Sequence, residues 1–301
     1  MTQTAPAPGG YDESEMRQVL EQGCKAVGLH VSDARLLRGH TNAVILLEKE
    51  EVVVKIARRG SRVTDVTRTV EFVRWLMDAG FPTVPLYPVD QPVVVDQHAI
   101  TFWRYLPQPA EPVAAAQLAK PLHALHTLPQ PPMSLPVHDN VAAIHQSIAA
   151  ITCLSSEELS FLSEHATALE GELGVVTFEL PPSVIQGDPQ HRNALHAGDA
   201  EAVLCDWDTV AFGQPEWDLV TVEVHCRRFG HGKQHYAAFA DAYGWDVTRW
   251  SGYRTLAAIR ELRMITTNAR KVHHAPDSLG EVQRRVEGLR QRDHLAGWNI
   301  L

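Results

Sequence analysis

The chain has 301 residues, 45% of them hydrophobic and 21% charged, an ordinary globular balance with length enough for one large domain or two lobes. Its 36 acidic and 27 basic side chains leave a net charge of −9, which argues against non-specific nucleic-acid binding and is compatible with a cationic ligand or with solubility alone. No apolar run reaches membrane-spanning length and residues 1–10 lack the basic and apolar regions of a signal peptide, so no membrane association is expected. Cys24, Cys153, Cys205 and Cys226 are scattered without metal-type spacing, and the His123/His126 and His273/His274 pairs show none either. Reduced thiols and a cytoplasmic location are expected.

Residues 1–10, rich in Thr, Ala, Pro and Gly, read as a disordered leader. Helical periodicity over 14–27 is followed by three strand-like runs at 34–37, 43–48 and 52–57. Arg38-Gly-His-Thr-Asn42 forms a polar turn between the first two. A helix is predicted over 64–79, ended by Gly80, with further strands at 82–89 and 98–103. This order describes a small antiparallel sheet with one helix, an N-terminal lobe over 11–106.

Prolines at 107, 109 and 112 then mark an extended connector. Beyond it, 107–301 reads as a mostly helical lobe, with helices at 113–128, 141–152, 157–173, 216–229, 234–243 and 248–273. Pro181–Asp208 sits among them as an irregular insert. The fold class is therefore α+β and bilobal, with a cleft as the natural place for a ligand.

Two segments of the insert carry chemistry. Gln186-Gly-Asp-Pro-Gln-His-Arg-Asn193 has an apolar approach, a glycine turn, an acid, and an amide five positions after it. Ala202-Val-Leu-Cys205 is an apolar run that ends abruptly in Asp206-Trp-Asp208. Each alone is ordinary turn chemistry. Together they suit a hairpin, with strands 194–196 and 202–205 around Ala197-Gly-Asp-Ala200, that returns Asp206 towards Asn193 so that one cation meets both oxygens. Hard oxygen ligands of this kind suit Mg²⁺, and the acid, amide and strand-end carboxylate are the set kinase catalytic loops use. In the N-terminal half, Val52-Val-Val-Lys-Ile56 places one lysine inside an apolar strand, and Glu71 follows 16 positions later on a predicted helix.

These segments resemble the aminoglycoside phosphotransferase and choline kinase family, whose motif is H-G-D-x-x-x-x-N followed by a hydrophobic strand and D-W/F-E/D. The resemblance covers about residues 30 to 260 and implies a protein-kinase-like fold that moves the γ-phosphoryl group of ATP to a small-molecule hydroxyl. It makes Asp188 the catalytic acid–base group, and Asn193 and Asp206 the Mg²⁺ ligands with Asp208 beside them. Lys55, oriented by Glu71, would contact the nucleotide phosphates. Gly39, Thr41 and Asn42 would cover the phosphates through backbone N–H groups, and Arg104 and Leu106 would meet adenine through the backbone at the interlobe hinge. The acceptor site is expected after Glu216, around Glu223, Arg227 and Arg228.

Three features depart from or extend the pattern. Gln186 replaces the usual His, and an amide can donate and accept hydrogen bonds but carries no proton charge. Pro189-Gln190 replaces the usual Leu-His on the acceptor side. Gly213-Gln-Pro-Glu-Trp-Asp218 matches the family's G-x-P-x-x-D, whose Asp supports the catalytic loop. An acceptor that is a protein is disfavoured by the absence of G-x-G-x-x-G and H-R-D. A nucleotide-binding pseudokinase or a scaffold without turnover is the remaining alternative, motivated by Gln186.

Overall fold

The computed structural model describes residues 13–39, 42–198 and 201–301; the expected leader and Thr41 lie outside the described residues. Helix α1 (Glu13–Ala26) is followed by strands β1 (Ala34–Arg38), β2 (Ala43–Leu47) and β3 (Val52–Ile56), helix α2 (Val63–Asp78), and strands β4 (Val93–Val95) and β5 (His98–Arg104). The five strands form one antiparallel sheet in the order β1-β2-β3-β5-β4. Alternation in Val52-Val-Val-Lys-Ile56 decides what each face of β3 meets. Val52, Val54 and Ile56 are fully buried with Val19, Leu20 and Cys24 of α1, while Val53 and Lys55 look to the opposite face.

The expected strand at 82–89 is not formed. Pro82, Pro85 and Pro88 remove three ladder donors. The segment makes only isolated bridges, Thr83 to Leu204 and Leu86 to Trp103. Strand β4, unexpected from the sequence, pairs Val93 with Ile100 and Val95 with His98.

The C-terminal part is helical around two small two-stranded sheets. Its helices are α3 (Ala115–His126), α4 (Asn140–Ala149), α5 (Ser156–Leu173), α6 (Glu216–Arg228), α7 (Lys233–Tyr243), α8 (Tyr253–Lys271) and α9 (Leu279–Arg290). The periodicity expected over 248–273 breaks at Trp250-Ser-Gly252: Val247–Arg249 is a separate 3₁₀ turn, and a Cβ at Gly252 would lie 2.4 Å from the Trp250 ring. Helix α9 follows two further 3₁₀ turns and was not expected from the sequence. No described helix is long and apolar enough to cross a membrane.

Three strands of the insert and one just beyond it make two short pairs. Strand β6 (Ser183–Ile185) pairs with β9 (Ala211–Gly213), and β7 (Ala194–His196) pairs with β8 (Ala202–Leu204). Trp207 joins this insert to the N-terminal part. It is fully buried, with its ring 5.3 Å from Phe72 of α2 and 6.1 Å from Phe81. Its indole N–H donates to Thr83 Oγ1 at 2.8 Å, so the polar edge is satisfied as well. Trp207→Ala removes all of these contacts, and a loss of about 3–5 kcal/mol of unfolding free energy is expected by chemical denaturation. A loss below about 1 kcal/mol would contradict this anchoring role.

Candidate functional site

The β7–β8 hairpin brings the two motif segments together, its strands close to those expected. Ala194 faces Leu204, and the Cys205 N–H donates to the Asn193 carbonyl at 2.9 Å, which sets Asp206 beside Asn193. Asp206 itself adopts a left-handed backbone conformation (φ 56°) and turns the chain into the 3₁₀ segment Trp207–Thr209. With Trp207 fixed in the core, its two flanking acids are both turned to one partner, the Lys55 ammonium.

Lys55 meets those acids. Its ammonium lies 2.6 Å from Asp206 Oδ1 and 2.8 Å from Asp208 Oδ2. Burial opposes the charge, but the two carboxylates outweigh it and hold Lys55 above the ordinary lysine range. Burial likewise pushes Asp206 up, yet the Lys55 charge and hydrogen bond bring its carboxyl below the usual range. Asn42 joins the group, donating to Asp208 Oδ2 at 3.0 Å and accepting from the Arg58 N–H at 3.2 Å.

The expected Lys55–Glu71 pair is not formed. Glu71 is exposed on α2 and pairs with none of the described residues, because the α2 face turned to the core presents Val70, Phe72, Val73 and Leu76. The acids of the β8 end hold Lys55 instead.

Gly187 begins the catalytic loop at φ 84°, where a Cβ would lie 2.4 Å from the Thr209 carbonyl oxygen; only glycine fits both the angle and the space. Buried Asp218, at the start of α6, accepts from the Gln186 N–H at 2.7 Å and the Gly187 N–H at 2.8 Å, and lies 3.1 Å from His126. Gln186 is fully buried. Its amide donates to the carbonyls of Cys205 and Asp206, both at 3.1 Å, and accepts from the Asp188 N–H at 2.6 Å. A neutral amide therefore ties the Asp188 loop to the Asp206 strand end.

Both carboxylate oxygens of Asp188 are oriented. Oδ2 accepts from Gln190 at 2.9 Å and Asn193 at 3.2 Å, and Oδ1 accepts from Arg260 of α8. Asn193 also donates to the Asp188 carbonyl at 2.8 Å, which commits its NH₂ to the loop and leaves its amide oxygen for a cation. The donor set of Asn193, Asp206 and Asp208 is all oxygen and two-thirds anionic, the chemistry a hard divalent cation takes. A cation, the Lys55 ammonium, already sits between the two carboxylates.

At the connector, the Arg104 N–H is committed to the Pro85 carbonyl at 2.9 Å, so it does not face a ligand. The Leu106 N–H has no partner among the described residues, and its carbonyl accepts from Gln108 at 3.1 Å. Gly39 is exposed beside the end of β1.

The acceptor residues expected on α6 serve another purpose. Arg228 is buried on Glu261 (2.7 Å), and Arg227 bridges Glu223 (3.0 Å) and Glu261 (2.8 Å). Both arginines donate to carbonyls of the C-terminal segment, at His294, Asp293 and Ala296. Together they hold that segment in place.

Sequence reasoning missed Arg260, which lies 72 positions from Asp188; its only signal was the basic stripe of α8. It also missed a histidine group beside the loop, in which nitrogens of His191, His231 and His235 lie within 4.8 Å of one another. Their rings are stacked within 6–18° of parallel. Imidazole lone pairs lie in the ring plane, so this arrangement does not converge on one ion, and His235 Nε2 already accepts from the Ala115 N–H at 3.0 Å.

A family model described as the phosphotransferase enzyme family matches residues 33–262. The chain belongs to this family. Choline kinase LicA from Streptococcus pneumoniae has the same fold, with a TM-score of 0.67 at 16% identity over 92% of this chain and 99% of that one. Amicoumacin kinase in complex with AMP-PNP, Ca²⁺ and Ami gives 0.71 at 12% identity, over 96% of each chain. Spectinomycin phosphotransferase in complex with ADP and spectinomycin gives 0.62 at 15% identity, over 91% and 92%. No curated protein sequence matches the chain significantly. The fold is thus the bilobal, protein-kinase-like one, and the family indicates a phosphotransferase.

Gln186→Ala leaves two carbonyls and one N–H without their partner, so a loss of about 1–3 kcal/mol in unfolding free energy is expected. Gln186→His restores much of it, and equal stability of Gln186→Ala and wild type in denaturant titration would contradict the bridging role.

A pH dependence follows from the buried histidines. Burial, the largest cause, pushes His138 and His191 down to about 4 and His225 well below its usual range, with Arg260 adding to the effect on His225. The unfolded chain binds protons at the ordinary value of 6.5, whereas the native state refuses them until about 4. Native stability is therefore full above that ordinary value and falls as pH drops through this window. A lower melting temperature at pH 5 than at pH 7.5 is expected; an equal or higher one contradicts the assignment.

Proposed function

We propose that this protein transfers the γ-phosphoryl group of ATP to a hydroxyl of a small molecule in a Mg²⁺-dependent reaction. The observation that carries the reading is the convergence of Asp188, Asn193, Asp206 and Lys55, drawn from distant segments, into one hydrogen-bonded set across the cleft. Nucleotide complexes of amicoumacin kinase and spectinomycin phosphotransferase, which share the fold, support a nucleotide as the donor. A cytoplasmic setting, where ATP is available, accords with four free thiols among the described residues.

The side chain of Asp188 is oriented by Arg260, Gln190 and Asn193, and in this reading it would accept or orient the acceptor's hydroxyl proton. Lys55 would hand its charge from Asp206 and Asp208 to the nucleotide phosphates, with the Leu106 N–H facing adenine. Asn193, Asp206 and Asp208 would hold Mg²⁺, which supplies neutralisation of the charge on the phosphate oxygens. Rate enhancement then comes mainly from positioning and electrostatic stabilisation. The residues 11–106 and 107–301 are the two lobes in this reading.

The alternative of nucleotide binding without turnover rested on Gln186. Its amide makes the contacts the loop needs, which removes that motive.

Asp188→Asn keeps the side chain's size while removing its charge. Turnover measured as ADP release is expected to fall ~10²–10⁴-fold with AMP-PNP affinity retained. Undiminished turnover would overturn the mechanism, and joint loss of nucleotide binding and thermal stability would make Asp188 a structural carboxylate.

A further inference from the structure

The charge around Asp188 has the opposite sign to that of the chain as a whole. Helix α8 carries Arg260, Arg263, Thr267 and Lys271 at spacings of three, four and four, which aligns them on one face, with Arg270 beside them. Arg260 meets Asp188 directly, and its buried Nε has no hydrogen-bond partner. Among the described residues, Arg263 donates only to the hydroxyls of Ser147 (3.4 Å) and Thr267. No described carboxylate lies within ion-pair distance of Arg58, Arg263 or Arg270.

These cations act on one another. Burial, then Arg260 and Arg270, push Arg263 down to about 10, while the charge of Asp188 works the other way. Burial lowers Lys271 as well, followed by Arg58, Arg270 and Arg263, again opposed by Asp188. Setting Lys271 aside, since it also acts on Asp206, one carboxylate, already engaged by Arg260, stands among the positive side chains Arg58, Arg263 and Arg270. Clustering like charges in a partly desolvated place is unfavourable unless an anion joins them. A net charge of −9 does not produce such a group by composition alone.

The nucleotide phosphates are the other candidate anion, but the cations that act on the paired acids at that end are Lys55 of β3, Arg38 and Lys271. Arg263 reaches Ser147 of α4 instead, and Arg260 reaches Asp188. We propose that the acceptor carries an anionic group, a carboxylate or a phosphate, held by Arg263 and its neighbours on α8 while its hydroxyl is presented to Asp188. Naming the bound anion as the acceptor rests on the phosphotransferase reading. An aminoglycoside or choline would instead bring positive charge against this face.

The test is calorimetric titration of the full chain saturated with Mg²⁺ and AMP-PNP, using glycerate and glucose 6-phosphate, neutral glycerol and glucose, and cationic choline and kanamycin. At least one anionic probe is expected to bind about tenfold or more tightly than its neutral counterpart, which corresponds to about 1.4 kcal/mol. The carboxylate and phosphate arms identify which anion is preferred. Arg263→Gln is expected to abolish that preference with AMP-PNP affinity unchanged, and Arg270→Gln, at a less buried position, to weaken it in the same direction should the first variant fail to fold. Binding of choline or kanamycin without any anion, or no anion preference, overturns the proposal. So does weakening of AMP-PNP instead of the anion in Arg263→Gln. ADP release in the same panel separates the two claims: turnover with cationic acceptors alone sinks the anionic acceptor and leaves phosphotransfer standing, whereas anion binding with no phosphoryl product on any acceptor sinks phosphotransfer and leaves an anion site whose ligand is not an acceptor.

Discussion

A lysine held between two carboxylates ties the halves of this molecule together. Lys55 comes from the middle of a sheet strand, and Asp206 and Asp208 come from the end of a hairpin 151 and 153 residues later. The contact exists only because Trp207, between the two acids, is buried against α2 and hydrogen-bonded to Thr83. Hydrophobic burial fixes the backbone, and the backbone aims the charges. Loss of the tryptophan would thus disturb the ion pairs without touching them.

The catalytic loop depends on a second buried carboxylate. Asp218 gathers the N–H groups of Gln186 and Gly187, and Gln186 passes the constraint on to Asp188 and to the carbonyls of Cys205 and Asp206. Such a network is demanding, because a buried polar group left unpaired costs more than a paired one contributes. Gln186 shows that the demand here is for donors and an acceptor at the right distances, since a neutral amide satisfies it. Proton charge at that position is not required for the arrangement.

Much of this was legible in the sequence, where the signal was local. The hairpin between Asn193 and Asp206 followed from two short apolar runs around a turn, and the lysine strand from an apolar, β-branched run. What stayed hidden was set by tertiary contacts. Glu71 sat at the expected distance along the chain, but spacing alone does not say which face of α2 looks into the cleft. Glu223, Arg227 and Arg228 suggested an acceptor site, yet they hold the C-terminal segment, whose docking no local pattern announces. The run at 82–89 failed for a reason that was visible: three prolines in an apolar stretch deny a ladder its donors. Arg260 lies 72 positions from Asp188, on a helix whose pattern does not announce the contact, and it most changes the view of the site because it sets a positive charge against the loop's acid.

The central claim is that the converged acid, amide and lysine move a phosphoryl group between molecules. Phosphorus NMR on wild type with Mg-ATP and a mixture of hydroxylated acceptors tests it most directly. The account predicts that the γ-phosphate resonance declines as a phosphomonoester resonance of equal area appears beside ADP. An unchanged ATP spectrum, or ADP accompanied only by inorganic phosphate, would contradict it.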